Sequence, residues 1–369
     1  MLFRSVIVTD IKGENYQVTA RRRREMGHQV YVFDPFQIVT RHSHRLNPMD
    51  VLGLPGSDLE SDSEMIASLL AVGHEFATDR YWNDTATALI SGLIAHIGST
   101  AKPSERNLTT LRSYLYNDDL DYLLATLLDN KAVVSPLARD EFVSYLAAPS
   151  DKTRPCIRST ATTYVKALGS SRVAATLESS SFDLADVVAG KPMTIYLVIP
   201  PEKLESHKTL LRLWISTLLT AVTSRREIPR LRTLFILDEC AQLGSLPALR
   251  QSITLLRGYG LQVWAFFQDL SQLRLLYPQD WQTMVNNCGV LQSFGFNNQL
   301  MARDWTDLLG VDADELMRLP AEDAMMCLAP GGPRRCRRLD YLRDEAFASL
   351  FDPNPRYALV APPGAERAA

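Results

Sequence analysis

Several features are missing from this 369-residue chain, and each absence excludes something. No window holds about 18 or more uninterrupted apolar residues, so no membrane-spanning helix is indicated. The opening "MLFRSVIVTD" turns polar too soon for a signal peptide and enters a strand almost at once. Cysteine is sparse and scattered, at 156, 240, 288, 327 and 336, with no CxxC pair. Neither a zinc site nor a disulfide framework is suggested, and reduced thiols are expected. The net charge is only −3, so no global basic field marks the chain as a binder of nucleic acid. Local basic clusters do occur at Arg21 to Arg24, at Arg225 and Arg226, and at Arg334, Arg335, Arg337 and Arg338. They read as solvated helix ends and strand flanks. The phosphate-binding pattern GxxxxGK[ST] does not occur. The only Gly-Lys pair, Gly190-Lys191, is followed by Pro192 and leads into a strand, so it cannot cradle phosphates.

What remains is an ordinary globular composition, 46% hydrophobic and 22% charged, long enough for two domains. Short apolar runs recur: "SVIVTD" (5–10), "VYVFDP" (30–35), "TIYLVIP" (194–200), "TLFILDE" (233–239), "LQVWAFFQ" (261–268), "GVLQSFG" (289–295) and "DAMMCLA" (323–329). Near-continuous apolarity predicts strands buried on both faces, hence a mostly parallel sheet. Helical segments alternate with several of them. The first ends near Gly27, a C-cap candidate, and another, "LPALRQSITLLRGYG", also ends in glycine. That alternation predicts an α/β domain. From about Asp50 to Glu178 the periodicity is helical throughout. "DTATALISGLIAHIG" carries Leu89, Ile90, Leu93, Ile94 and Ile97 on one face, with Asp84 or Thr85 able to cap its start. This predicts an all-helical insertion between the second and third strands, dividing the chain into 1–49, 50–180 and 181–369.

The chemistry-bearing residues sit where strands end. Leu234, Phe235, Ile236 and Leu237 deliver Asp238 and Glu239. In Mg-nucleotide hydrolases a strand-terminal Asp positions the metal and the next acid polarises the attacking water. A helix N-cap acid followed by a surface Glu gives the same pattern. Gln268 ends the next predicted strand, where its amide can meet a γ-phosphate or water, or simply terminate the strand. Arg257, at a helix end between these strands, can complement the helix dipole or reach a neighbouring subunit's nucleotide. Asp10, Lys12, Gly13 and Glu14 follow the first strand, where glycine at a helix start lets a phosphate approach. Asp34 to Gln37 follow the second.

Four long segments in order, "SVIVTDIKGENYQVTARRRREMGHQVYVFDPF", "LFILDECAQLGSLPAL", "FFQDLSQLRLLYPQDWQTMVNNCGVLQSFGFNN" and "LDYLRDEAFASLFDPNP", with "YWNDTATALISGLIAHI" in the helical stretch, resemble the type IV secretion coupling proteins over nearly the whole chain. The resemblance implies a RecA-like P-loop NTPase motor, α/β with a mostly parallel sheet interrupted by an all-alpha domain. It implies ATP and Mg²⁺ as cofactors, with Asp238 and Glu239 as the Walker B acids, Asp238 on the metal, Gln268 sensing the γ-phosphate and Arg257 as an arginine finger. It implies a homo-hexamer at the cytoplasmic face of the bacterial inner membrane, anchored by N-terminal helices. The partners would be DNA, a relaxase–DNA complex, secreted proteins, and the ATPases and channel of the secretion system. In that family "SVIVTDIKGE" follows the membrane helices and the P-loop. Here it opens the chain, so the resemblance implies an N-terminally truncated form, inactive as an ATPase alone. The alternative is a catalytically inactive module that docks substrates through residues 50–180.

Overall fold

The structure, a computed structural model, describes residues 4–73 and 80–357. Its centre is a five-stranded parallel sheet in the order β2-β3-β1-β4-β5, with β1 Ser5–Thr9, β2 Gln29–Phe33, β3 Met193–Leu197, β4 Thr233–Leu237 and β5 Leu261–Ala265. The register aligns Thr9 with Leu197 and Leu237, Phe33 with Leu197, and Leu237 with Ala265. All five strands therefore stop level, and the residues that follow them share one carboxyl edge.

Period-two alternation explains why these runs are apolar throughout. One sheet face carries Ile7, Phe33, Ile195, Leu197, Phe235 and Leu237 into the main core. The other carries Val6, Val8, Val32, Tyr196 and Val198 into a smaller core with Ala20 of α1 (Glu14–Glu25). On the main-core side Trp214, fully buried, lies 5.2 Å centroid to centroid from Phe33. Trp214 belongs to the long helix Pro201–Thr223, which leaves helical geometry once, at His207.

Between β2 and β3 the described residues form helices and no strand. Those helices are α2 (Leu59–Ala71), α3 (Arg80–Thr100), α4 (Leu108–Leu115), α5 (Leu120–Asp129), α6 (Pro136–Ala147), α7 (Thr153–Tyr164), α8 (Ser171–Ala175) and α9 (Leu184–Val188). The helix Pro201–Thr223 after β3 is α10. The central helix α3 buries Leu89, Ile90, Leu93, Ile94 and Ile97, the stripe its sequence predicts. Asp84 and Thr85 do not cap it, because the helix already runs from Arg80 and the Thr85 hydroxyl donates back to the Tyr81 carbonyl at 2.7 Å. The chain enters and leaves this region side by side: Leu46 N–H donates to Thr176 O (2.9 Å), Ser181 N–H to Arg45 O (2.9 Å) and the Ser180 hydroxyl to Asp50 (2.6 Å). The helical region shares one continuous core with the sheet, through α2 packed on α10.

The last two predicted strands do not extend the parallel sheet. β6 (Val290–Ser293), β7 (Asp323–Leu328) and β8 (Gly332–Arg337) form a separate antiparallel sheet in the order β6-β7-β8. Helices α11 (Pro247–Thr254), α12 (Leu270–Leu276), α13 (Trp281–Asn286), α14 (Gln299–Leu309) and α15 (Ala313–Met317) complete the second half. Two clustered arginines are not solvated as their sequence context suggests. Arg23 is buried, donating to Thr194 Oγ1 (2.7 Å) and Arg4 O (2.6 Å). Arg225 is buried, donating to Val187 O (2.6 Å), Val188 O (3.1 Å) and Thr233 Oγ1 (2.8 Å). All five cysteines are free, and among the described residues no helix is long and apolar enough to cross a membrane.

Candidate functional site

β4 ends at Leu237, and the two residues beyond it lie at the carboxyl edge of the sheet, where open parallel sheets bind ligands. Thr9 Oγ1, at the end of the neighbouring β1, donates to the Asp238 carbonyl at 3.0 Å. The Asp238 carboxylate in turn accepts the Glu239 N–H at 3.1 Å. Glu239 takes a left-handed backbone (φ 50°), a strained conformation for a residue with a Cβ. It opens the 3-10 turn Cys240–Leu243, which Cys240 N–H clips to Phe266 O at 2.9 Å. Gly244 follows that turn with a positive φ of 70°.

Gln268 and Glu239 meet. The Gln268 Nε2 donates to Glu239 Oε2 at 3.0 Å. Gln268 does not end β5, which stops at Ala265; it stands three residues further on, exposed, with its N–H donating to Gln272 Oε1 at 3.0 Å. Phe266 and Phe267 prolong the apolar run beyond the strand, although Phe266 N–H still donates to Leu237 O at 3.0 Å. Arg257 lies in the 3-10 turn Leu256–Tyr259 rather than at the end of α11, and its side chain lies outside the described residues.

The "TDIKGEN" segment closes the other side of the edge. Asp10 is 1% exposed and accepts the N–H groups of Tyr16 (2.7 Å) and Asn15 (3.2 Å) at the start of α1. Burial pushes its pKa up to about 6, opposed by those N–H donors and assisted by the charges of Asp238 and Glu14. Asp238 is also raised, first by burial and then by the Glu239 charge, while Lys12 pulls it down. Acidic groups outnumber the lysine here, so the edge repels a bare polyphosphate and suits a divalent cation held by one or two carboxylates. Magnesium sites are commonly built this way, with substrate phosphates supplying the remaining ligands. Among the described residues no cluster of His, Cys, Asp or Glu makes a complete metal cage. Asp34 is fully buried and accepts from Ile38, Val39 and Thr40 N–H (2.9, 2.7 and 3.0 Å), so it serves its own loop. Gly190 precedes β3 and Lys191 pairs with Asp186 at 2.5 Å, so neither faces the acids.

Several residues behind this edge carry little signal in the sequence. Arg212, 3% exposed on α10, donates to Leu243 O (2.5 Å) in the turn behind the acids and to Val72 O (2.8 Å) at the end of α2. A single charge inside "LLRLWISTLL" was its available signal. The segment 349–356 folds back on α1: Asp352 pairs with Arg21 (2.6 Å) and Asn354 donates to Glu14 (3.1 Å). A cavity of about 620 Å³ opens between α2, α10 and α11, but none of Asp238, Glu239 and Gln268 lines it.

Comparison with known proteins agrees with this architecture. Residues 2–313 match the family described as "Type IV secretory system Conjugative DNA transfer". The conjugal transfer protein TraG of Escherichia coli is 25% identical over 332 residues, 83% of this chain and 51% of TraG. The type IV secretion system-coupling protein VirD4 of Bartonella quintana is 27% identical over 273 residues, 73% of this chain and 42% of VirD4. The chain thus spans about half the length of these relatives or less. Among solved structures, the plasmid coupling protein TrwB in complex with the ATP analogue ADPNP superposes with a TM-score of 0.71 at 15% identity, covering 93% of this chain and 81% of TrwB. TrwB in complex with ADP and Mg²⁺ gives 0.69 at 14% identity, again covering 93% and 81%. At such identity the likeness establishes the fold, the α/β RecA-like fold of P-loop NTPases. Matched over most of its length, the chain belongs to the type IV secretory system conjugative DNA transfer family, the coupling proteins of conjugation.

Proposed function

We propose that this chain is the motor portion of a coupling protein that uses ATP to recruit relaxase-bound DNA and protein substrates and drive them into a type IV secretion channel. The observation that carries the reading is the Glu239–Gln268 hydrogen bond, made across β4 and β5 beside Asp238. In this reading Asp238 holds Mg²⁺, which when bound offsets charge on the nucleotide phosphates. Glu239 orients and polarises the attacking water. The Gln268 amide fixes one carboxylate oxygen of Glu239, leaving the other for that water, and couples it to the state of the terminal phosphate. Arg257 acts on the nucleotide of a neighbouring subunit in a hexameric ring. Residues 50–180 form the substrate-docking domain, and the assembly works at the cytoplasmic face of the inner membrane.

The 369 residues contain no GxxxxGK[ST] motif, so the phosphates need a cradle these residues do not provide. The same observation favours a second reading, a catalytically silent module that docks secretion substrates. Nucleotide binding and hydrolysis separate the two. The motor reading expects negligible turnover by the purified chain, but Mg²⁺-dependent ATP binding that Asp238→Asn abolishes and Glu239→Gln preserves. ATP binding indifferent to Mg²⁺ and to Asp238→Asn would refute the site. Robust turnover lost in Glu239→Gln would refute the need for an external cradle.

A further inference from the structure

The antiparallel sheet has two unlike faces. Opposed residues in a ladder share a face, so Ser293, Met325 and Arg335 lie on one, and Gln292, Met326 and Arg334 on the other. The first face packs Met325 against Phe296, Ala302, Leu309 and Leu316 of the α14–α15 region. There Arg335 and Arg337 pair with Asp323 (2.5 Å) and Asp344 (3.1 Å). On the second face Ala324 is buried and Met326 and Leu328 are half-buried, while the β6 side and Arg334 stand exposed. Val290 is 49% exposed and Phe294 42% exposed. The Arg338 guanidinium sits 4.3 Å from the Phe294 ring centroid and donates to Ala321 O at 2.9 Å. Neither Arg334 nor Arg338 has a carboxylate at ion-pair distance among the described residues.

A β-sheet face that carries an exposed aromatic ring, a stacked guanidinium and a second arginine without a carboxylate partner has a characteristic complement. Its charge excludes a basic partner, and its aromatic–arginine stack is built for a flat π surface. Platforms of this composition hold single-stranded nucleic acid, with bases stacked on the ring and phosphates on the arginines. We propose that this face, through Phe294, Arg334 and Arg338, is a contact surface for single-stranded DNA. The proposal rests on the DNA-transport reading above and adds a surface to it, distinct from the nucleotide edge.

The test is fluorescence anisotropy with a labelled oligothymidylate of about 20 nucleotides, titrated at several salt concentrations. Phe294→Ala should weaken binding roughly tenfold, while Phe294→Trp, which keeps the stacking surface, should bind like the unaltered chain. Arg334→Gln with Arg338→Gln should flatten the slope of log K against log salt by about 1.4, two phosphates at ~0.7 each. Thermal melts and sedimentation of every variant verify folding and association state. If the unaltered chain binds but the folded variants match it in affinity and salt slope, this surface is refuted and DNA transport is untouched. If the unaltered chain binds no DNA, both fall. If the variants change self-association and leave DNA affinity alone, the face is a contact between copies and the proposal is overturned.

Discussion

Gly13 joins the carboxyl edge of the sheet to α1, and replacing it with alanine tests how tightly that junction is built. Gly13 has φ 73°, and a Cβ added there would overlap the Val39 Cγ1 methyl. Val39 cannot easily withdraw: it is β-branched, and its N–H is bound to the buried Asp34 carboxylate at 2.7 Å. Two costs therefore add. The left-handed backbone costs an L-residue about 1–2 kcal/mol. Overpacking a filled site costs about 1–3 kcal/mol more. Gly27 supplies the control, because it has φ 82° with nothing within 4 Å of an added Cβ. Gly27→Ala incurs only the backbone cost. Equilibrium urea unfolding followed by circular dichroism should place Gly13→Ala about 1–3 kcal/mol below Gly27→Ala at an unchanged m value. Equal midpoints for the two variants would show that Val39 yields freely and that the junction is not fixed as described. The defect should also reach Asp10, whose carbonyl accepts the Gly13 N–H at 3.1 Å and whose carboxylate caps the same helix.

Three further outcomes are expected. The Asp10 pKa is raised from 3.8 to about 6 in the fold, so its contribution to stability is fully present below pH ~4 and is lost as pH rises through ~6; against Asp10→Asn, urea titrations between these limits should show a loss of about 3 kcal/mol, and a flat difference would contradict the assigned burial. Arg212→Ala removes two charge-assisted hydrogen bonds worth about 1.5–3 kcal/mol each, and hydrogen exchange should quicken in the Cys240–Leu243 turn and at the end of α2 together; acceleration in only one of them would disprove the shared tether. Cys240 is buried with its thiol pushed up to about 12, whereas Cys156 is exposed, so a thiol-specific disulfide reagent should label Cys156 in the native state and Cys240 only on unfolding.

What the sequence disclosed followed burial closely. β1, β3 and β4 are readable because both their faces are covered, so nearly every position is apolar. β5 has a strand neighbour on one side only, and its apolar run outlasts the strand: Phe267 packs against the main core, and Phe266 keeps backbone bonds to Leu237 and Cys240 past the strand's end. β8, with four arginines in and beside it, showed no apolar period at all. An exposed edge strand carries charge to resist further pairing, so its signal is the opposite of the one being sought. The buried arginines failed for a related reason. Arg23 and Arg225 are held by carbonyl and hydroxyl oxygens, some of them on strands far along the chain, and no local window contains those acceptors.

The site divides along the same line. That Asp238 and Glu239 stand at a strand end is a local fact, legible from four apolar residues followed by two acids. That Glu239 touches Gln268 is not local: it needs β4 beside β5, Leu237 level with Ala265, and a left-handed turn at Glu239 that no glycine advertises. The strain at that one residue is therefore the most informative thing the structure adds. A Glu held in a disfavoured backbone, with its carboxylate oxygen occupied by an amide from the segment after the next strand, is a side chain whose position is fixed before any ligand arrives. Glu239→Gly would relieve the backbone and remove the carboxylate, whereas Glu239→Gln keeps the strain and the reach. If holding this position is what the strain is for, Glu239→Gly should raise stability by about 1 kcal/mol or more while Glu239→Gln leaves it nearly unchanged. A stability loss in Glu239→Gly would show instead that the Gln268 hydrogen bond contributes more than the backbone costs.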